Sequence, residues 1–316
     1  MYALCVEASH SRGLGHLFRM LCLAECMRQR GQDFVFIVNR DDASRSILAR
    51  AAVPLREAAI GDVDSGWETS LIAELKIQVW INDRLDTDVR HALRVTDAGA
   101  QLITFDDRGS GAEYADLHVA ALAFLQGEHL GGRRLLTGIE YLILNAEIKV
   151  LRRMRKDSKR WIVTLGGTDT WGVTPKVVTA LAERDCDVTV VLGPGFRHYA
   201  ELNAVLPPRF QVKQGVPSLI AELAAHDVAV TGGGITAFEA CSSGLPTIIV
   251  ANEHFEVPVG RYLADLGCAR FAGHYSSADW DVLRSTLPIE AMSAAGLAQV
   301  PADGVDRVWK AIAELQ

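Results

Sequence analysis

Apolar and polar positions follow two rhythms along this chain. Short apolar or β-branched runs at Ala3–Glu7, Phe34–Val38, Val79–Asn82, Leu102–Phe105 and Leu117–Ala120 read as buried strands. Between the first two, Leu17, Leu21, Ala24 and Met27 recur at helical spacing, and Gly31 stands where a left-handed helix end favours glycine. The N-terminal half therefore reads as βα repeats. After Asn145 comes a polar, basic run, Ile148–Arg160, without strand character, and then a fresh apolar start at Trp161–Leu165. Further strands are expected at Val188–Leu192, Val228–Thr231 and Thr247–Ala251, with helices near Pro175–Arg184, Ser218–Ala225, Ala237–Ser243 and Val257–Leu266. Strands that alternate with helices build doubly wound parallel sheets, whose ligands sit at the carboxyl ends of the strands. The expectation is an α/β protein of two Rossmann-like domains, 1–147 and 148–316, facing a cleft, with the basic run as a solvated linker.

Length agrees with this division, since 316 residues exceed one domain and fit about two of roughly 150 residues each. Hydrophobic residues at 49% and charged residues at 22% exclude a disordered or collagen-like chain. A net charge of −7 disfavours a nucleic-acid or anionic-membrane surface, yet leaves room for a small anionic ligand held by a local set of donors. The six cysteines, Cys5, Cys22, Cys26, Cys186, Cys241 and Cys268, lie scattered in apolar segments with no CxxC or Cys-His spacing. They read as reduced core residues of a cytoplasmic protein, and neither a metal site nor a cofactor is signalled. The N-terminus lacks a basic leader, and no run of about 18 apolar residues occurs, so secretion and membrane spanning are not expected. Nothing in the sequence sets the oligomeric state.

The candidate chemistry gathers at glycine turns. In S-R-G-L-G-H, Gly13 and Gly15 separate the first strand from a helix that opens at His16. Bare amides at the positive end of a helix make a seat for phosphate. A neutral imidazole projecting from that strand edge can act as a base, although glycines at a tight turn with a capping histidine would look the same. The second turn, T-G-G-G-I-T-A-F-E, presents Gly233, Gly234, Ile235 and Thr236 to a diphosphate and Glu239 to a ribose diol. Thr236 and Glu239 also satisfy a T-x-x-E capping box, which alone would explain both polar residues. A third turn, L-G-G-T-D-T, adds Gly166, Gly167 and Thr168. Asp83 and the pair Asp106-Asp107 end strands of the first half, where carboxylates serve acid-base work or, more commonly, turns and caps.

In their order these motifs resemble the nucleotide-sugar hydrolases of pseudaminic acid synthesis, relatives of the UDP-N-acetylglucosamine transferase of peptidoglycan assembly. G-L-G-H-L-F-R-M-L-C-L-A, F-D-D-R-G, T-G-I-E-Y-L-I-L-N-A-E-I, L-G-G-T-D-T and G-G-G-I-T-A-F-E-A-C-S-S-G-L-P carry the resemblance across nearly the whole chain. It implies a GT-B arrangement in which the C-terminal domain holds a uridine nucleotide. It further implies that His16 activates water against the anomeric carbon of a UDP-linked deoxy-diacetamido sugar. The activity implied is hydrolysis to free sugar and UDP; a GT-B glycosyltransferase and a non-catalytic nucleotide-sugar binder are the alternatives. The chain departs from the family pattern at two places. It reads R-L-D where an aromatic residue usually follows the aspartate matched by Asp83, and Glu253-His254-Phe255 where E-N-Q is common. His254 is therefore a candidate second sugar contact or base.

Overall fold

The computed structural model describes residues 1–7, 15–128 and 130–315. The chain divides into two compact units, 1–143 with 303–316, and 144–302. Among the described residues the first unit holds seven strands: β1 Tyr2–Val6, β2 Phe34–Val38, β3 Leu55–Glu57, β4 Val79–Asp83, β5 Gln101–Phe105, β6 Leu117–Val119 and β7 Leu135–Leu136. All pair in parallel, in the order β3-β2-β1-β4-β5-β6-β7. The second unit holds β8 Arg160–Thr164, β9 Asp187–Leu192, β10 Gln211–Gln214, β11 Val228–Thr231, β12 Thr247–Ala251 and β13 Ala269–His274. They too are parallel, in the order β10-β9-β8-β11-β12-β13.

The strand order reverses beside the first strand of each sheet. Val6 pairs with both Val38 and Asp83, so the connections from β1 and β4 leave the sheet on opposite sides of one point. Thr164 ends β8 opposite Thr231 of β11, with β9 on the other flank. These are the switch points at which a doubly wound sheet opens a crevice at its carboxyl edge.

Central strands are apolar on both faces because helices cover both. In the first unit Leu4, Phe36, Ile81 and Ile103 face Leu17, Met20 and Met27 of helix Gly15–Gln29, while Trp80 and Leu102 face Ala92 and Val95 on the other side. The expected boundary needs correction at the C-terminus. Helix Gly304–Ala313 places Val305, Val308, Trp309 and Ile312 in the first unit's core, with Trp309 against Tyr2 at 5.5 Å. The apolar stripe of this last helix is buried under the first sheet, so 303–316 belongs with residues 1–143.

The basic run is not a solvated linker throughout. Arg155 is 1% exposed, and its guanidinium donates to the carbonyls of Arg153 at 2.6 Å, Ser243 at 2.9 Å and His226 at 3.1 Å. Ser243 and His226 close helices Ile235–Ser242 and Leu219–Ala225, whose last carbonyls lack partners within their own helices. Burial, with the charge of Arg153, pulls the Arg155 guanidinium down to about 10. Arg155→Met is expected to lower stability by about 3 kcal/mol, because it strands buried carbonyls. Urea unfolding at pH 7 measures it, and an unmoved midpoint would show that those carbonyls find other donors.

Candidate active site

At the switch point of the first sheet, helix Gly15–Gln29 begins one residue before His16. His16 and Arg19 are three apart and share a helix face. Both reach Asp83 at the end of β4, which is fully buried. His16 Nδ1 lies 2.6 Å from Asp83 Oδ1, and Arg19 grips the same carboxylate as a fork, Nη2 to Oδ1 at 2.6 Å and Nε to Oδ2 at 2.8 Å. The other arm of Arg19, Nη1, pairs with Asp106 just beyond β5, and its guanidinium lies 5.2 Å from the Phe105 ring centre.

Burial would push the Asp83 carboxyl up, but the Arg19 charge and the hydrogen bonds from His16 and Arg19 outweigh it and hold Asp83 below the usual carboxylate range. Burial likewise opposes the charge on Arg19, yet Asp83 and Asp106 together raise that guanidinium further. An ionised Asp83 can only accept, so His16 donates from Nδ1, and the neutral ring held this way carries its lone pair on Nε2. The His16 side chain is 18% exposed, enough for that nitrogen to meet a small reactant.

Asp106 and Asp107 are not a working pair. Asp107 is buried and organises its own loop, accepting from the Thr87 amide at 3.0 Å, the Gly109 amide at 2.9 Å and the Thr87 hydroxyl. Only Asp106 joins the cluster around His16. Arg19 went unassigned in the sequence reading, although its spacing from His16 was a usable signal.

The second unit carries the other two turns at its own switch point. Gly166 has φ of +90°, a conformation that requires glycine, and a Cβ on Gly166 or Gly167 would meet no atom within 4 Å. The open side of this turn lies over a cavity of about 320 Å³, lined by Leu165–Thr170 together with Asn252, Glu253, Phe255 and Glu256. Asp169 pins the far end of the turn by accepting from the Val173 and Thr174 amides at 2.8 and 2.9 Å. A larger cavity, about 400 Å³, opens where β8 and β9 begin. Of the charges lining it, Arg160 pairs with Asp227 and Lys213 with Glu222, and it lies at the sheet edge away from the glycine turns.

The triglycine turn corrects one sequence expectation. Helix Ile235–Ser242 starts with Gly234 as its N-cap and no side-chain cap, so Thr236 already sits in the first turn and no capping box with Glu239 forms. The first amides of this helix have no acceptor within it and carry its positive end. Gly233 is engaged, for its amide donates to Glu256 Oε2 at 3.1 Å, and the same oxygen accepts from the Asn252 amide at 2.7 Å. Glu256 thereby ties the turn after β11 to the turn after β12, a role without a sequence signal.

Released from capping, Glu239 stands in the second turn of the helix. Burial pushes its carboxyl up to about 7, opposed by a hydrogen bond from the Asn145 backbone. The group changes charge near neutrality. His254 opens a short 3-10 turn, and its exposed ring stacks on His274 at 4.2 Å. A ladder of rings continues from His274 to Tyr275 at 4.6 Å and from Tyr275 to Trp171 at 5.4 Å, where Trp171 Nε1 donates to Glu253. His16, Asp83 and Gly15 thus gather in the first unit, and Gly166, Gly167, Thr168, Gly233, Gly234, Ile235, Thr236, Glu239 and His254 in the second. Gly13 lies outside the described residues.

No protein-family model matches the chain. It is 27% identical over 273 residues to an uncharacterized protein of Methanocaldococcus jannaschii, covering 78% of this chain and 55% of that protein. The chain thus spans about half the length of that relative. It is 21% identical over 287 residues to the spore coat polysaccharide biosynthesis protein SpsG of Bacillus subtilis, covering 83% of this chain and 80% of SpsG. Among solved structures, MurG of Acinetobacter baumannii matches with a TM-score of 0.71 and 12% identity, covering 99% of each chain. HepE of Anabaena, in complex with UDP, matches with a TM-score of 0.69 and 12% identity over the whole of both chains. With the two parallel sheets, these likenesses give the chain a MurG-like GT-B fold. No helix among the described residues is long and apolar enough to cross a membrane.

Proposed function

We propose that this chain hydrolyses a UDP-linked deoxy-diacetamido sugar to free sugar and UDP, in the biosynthesis of a pseudaminic-type nonulosonic acid. The observation that carries the reading is the His16-Asp83 pair: an imidazole at a sheet switch point, with its Nδ1 on a buried, ionised carboxylate and its Nε2 left as the base. A protein that only binds nucleotide sugars has no need of so oriented a titratable group.

In the reaction His16 Nε2 takes a proton from water as the water oxygen bonds to the anomeric carbon. The bond from that carbon to the diphosphate oxygen breaks, and UDP leaves with the electron pair. The proton then passes from His16 to solvent. Charge grows on the departing diphosphate, where the first amides of helix Ile235–Ser242 and the Gly166–Thr168 turn stabilise it, and Glu239 accepts from the ribose hydroxyls. The UDP bound to HepE and the polysaccharide role in the name of SpsG support a sugar nucleotide as the ligand.

A transfer reaction on the same fold is separated by its products. Incubated with the nucleotide sugar and no acceptor, the protein is expected to release UDP and free sugar in equal amounts and at a steady rate. UDP release that waits for an added acceptor alcohol would overturn hydrolysis in favour of a glycosyltransferase.

A further inference from the structure

We infer that Asp106 is a positioning residue for His16, acting through Arg19; the inference rests on the reading of His16 as the base. One oxygen, Asp83 Oδ1, accepts at 2.6 Å from both His16 Nδ1 and Arg19 Nη2. A single carboxylate already matched by a permanent cation has little attraction left for a second. Were Asp83 and Arg19 alone, they would sum to zero, and the proton that His16 takes from water would create net positive charge beside a buried site. Asp106 supplies the missing negative charge. With it the cluster carries −1 while His16 is neutral and zero once His16 is protonated, so the protonated ring formed in the reaction is electrostatically matched.

Asp106 also fixes the plane of the guanidinium. Arg19 Nη2 lies only 3.3 Å from His16 Nδ1. If the fork turned, that donor would face Nδ1 and force the ring proton onto Nε2, removing the basic nitrogen. Asp106 on Nη1, Asp83 on Nε and Nη2, and the Phe105 ring beneath prevent the turn. Asp106 holds a left-handed φ of 48°, with its amide donating to the Val119 carbonyl at 3.0 Å and its carbonyl accepting from Arg108 Nη1 at 2.8 Å. Arg108, the other cation beside Asp106, is matched by Glu128, whose carboxylate accepts from Nε at 3.1 Å and Nη2 at 2.5 Å. Arg84 donates to the Ile60 carbonyl and lies 3.7 Å from Glu7, and Asp306 of the C-terminal helix pairs with Arg30 at the far end of the His16 helix.

The test follows the His16 ring by NMR in ligand-free protein with labelled histidine, beside steady-state kinetics. In Asp106→Asn the nitrogen chemical shifts are expected to show the ring proton moving in part from Nδ1 to Nε2, because the Arg19 fork is no longer held in its plane. The turnover number should fall about tenfold or more with KM unchanged. Asp106→Glu should restore both. Asp106→Ser keeps the test available if Asp106→Asn fails to fold, and in an Arg19→Gln background the loss of Asp106 should change neither quantity further. A ring that keeps its proton on Nδ1 in a folded Asp106 variant overturns the inference. Absence of UDP release by the unaltered protein would instead overturn the hydrolase reading, while the ring tautomer still decides for or against the coupling of Asp106 to His16.

Discussion

His16→Gln is expected to reduce UDP release by about 10²- to 10⁴-fold, the usual contribution of a positioned general base, while leaving the affinity for UDP within about twofold. Glutamine approximates the length of the ring and can still donate to Asp83, but it offers no lone pair of comparable basicity. The separation of the two effects follows from where the groups sit. His16 belongs to the first unit, whereas the amides assigned to the diphosphate and the carboxyl assigned to the ribose belong to the second. A loss confined to turnover shows that His16 acts on the reacting bond and not on the nucleotide. Equilibrium binding of UDP by calorimetry, together with a coupled assay of UDP release, measures both quantities. Turnover that survives the substitution would remove the base from the mechanism, and a parallel loss of UDP affinity would recast His16 as a phosphate contact.

The elements legible in the sequence were those whose stability comes from burial. Phe34–Val38, Val79–Asn82 and Thr247–Ala251 are central strands covered on both faces, so their apolar runs mark them. Leu55–Glu57 and Gln211–Gln214 are edge strands with exposed residues, and they carry no such mark. The return of helix Gly304–Ala313 to the first unit is a tertiary fact, since its apolar stripe fits either sheet equally well on paper. The site divides in the same way. Glycine turns and His16 announced themselves through local backbone need, but the partnership of His16 with Asp83 joins positions 67 residues apart and depends on β1 and β4 being neighbours. Arg155 illustrates the converse error: a lone arginine in a charged run looks solvated until two helix ends are found to converge on it. For Glu239 the local pattern misled outright, because T-x-x-E fits a capping box and the helix begins two residues too early for one.

Glu239 leads to the second large effect, a dependence of nucleoside binding on pH. Burial raises its carboxyl from an ordinary 4.5 to about 7. The sign follows from the direction of that shift. The folded protein prefers Glu239 protonated, so the group's contribution to stability is fully present below the unfolded value and is lost as pH rises through about 7. A ribose diol donating to the carboxylate prefers the opposite state, because its hydroxyls find their strongest acceptor in the ionised form. Binding through Glu239 therefore expels a proton below neutrality, and the affinity for uridine should rise roughly tenfold per pH unit up to about 7 and level off above it. Uridine is the suitable probe because it carries the diol but no phosphate to titrate in the same range. Glu239→Gln should bind uridine more weakly at pH 8 and show no such slope, while the stability advantage of the unaltered protein over this variant should shrink between pH 5 and 8. Calorimetric titrations across that range, paired with urea unfolding, separate the two linkages. A uridine affinity that stays level with pH in the unaltered protein would place the ribose away from Glu239 and leave the buried carboxyl as a helix-packing group alone.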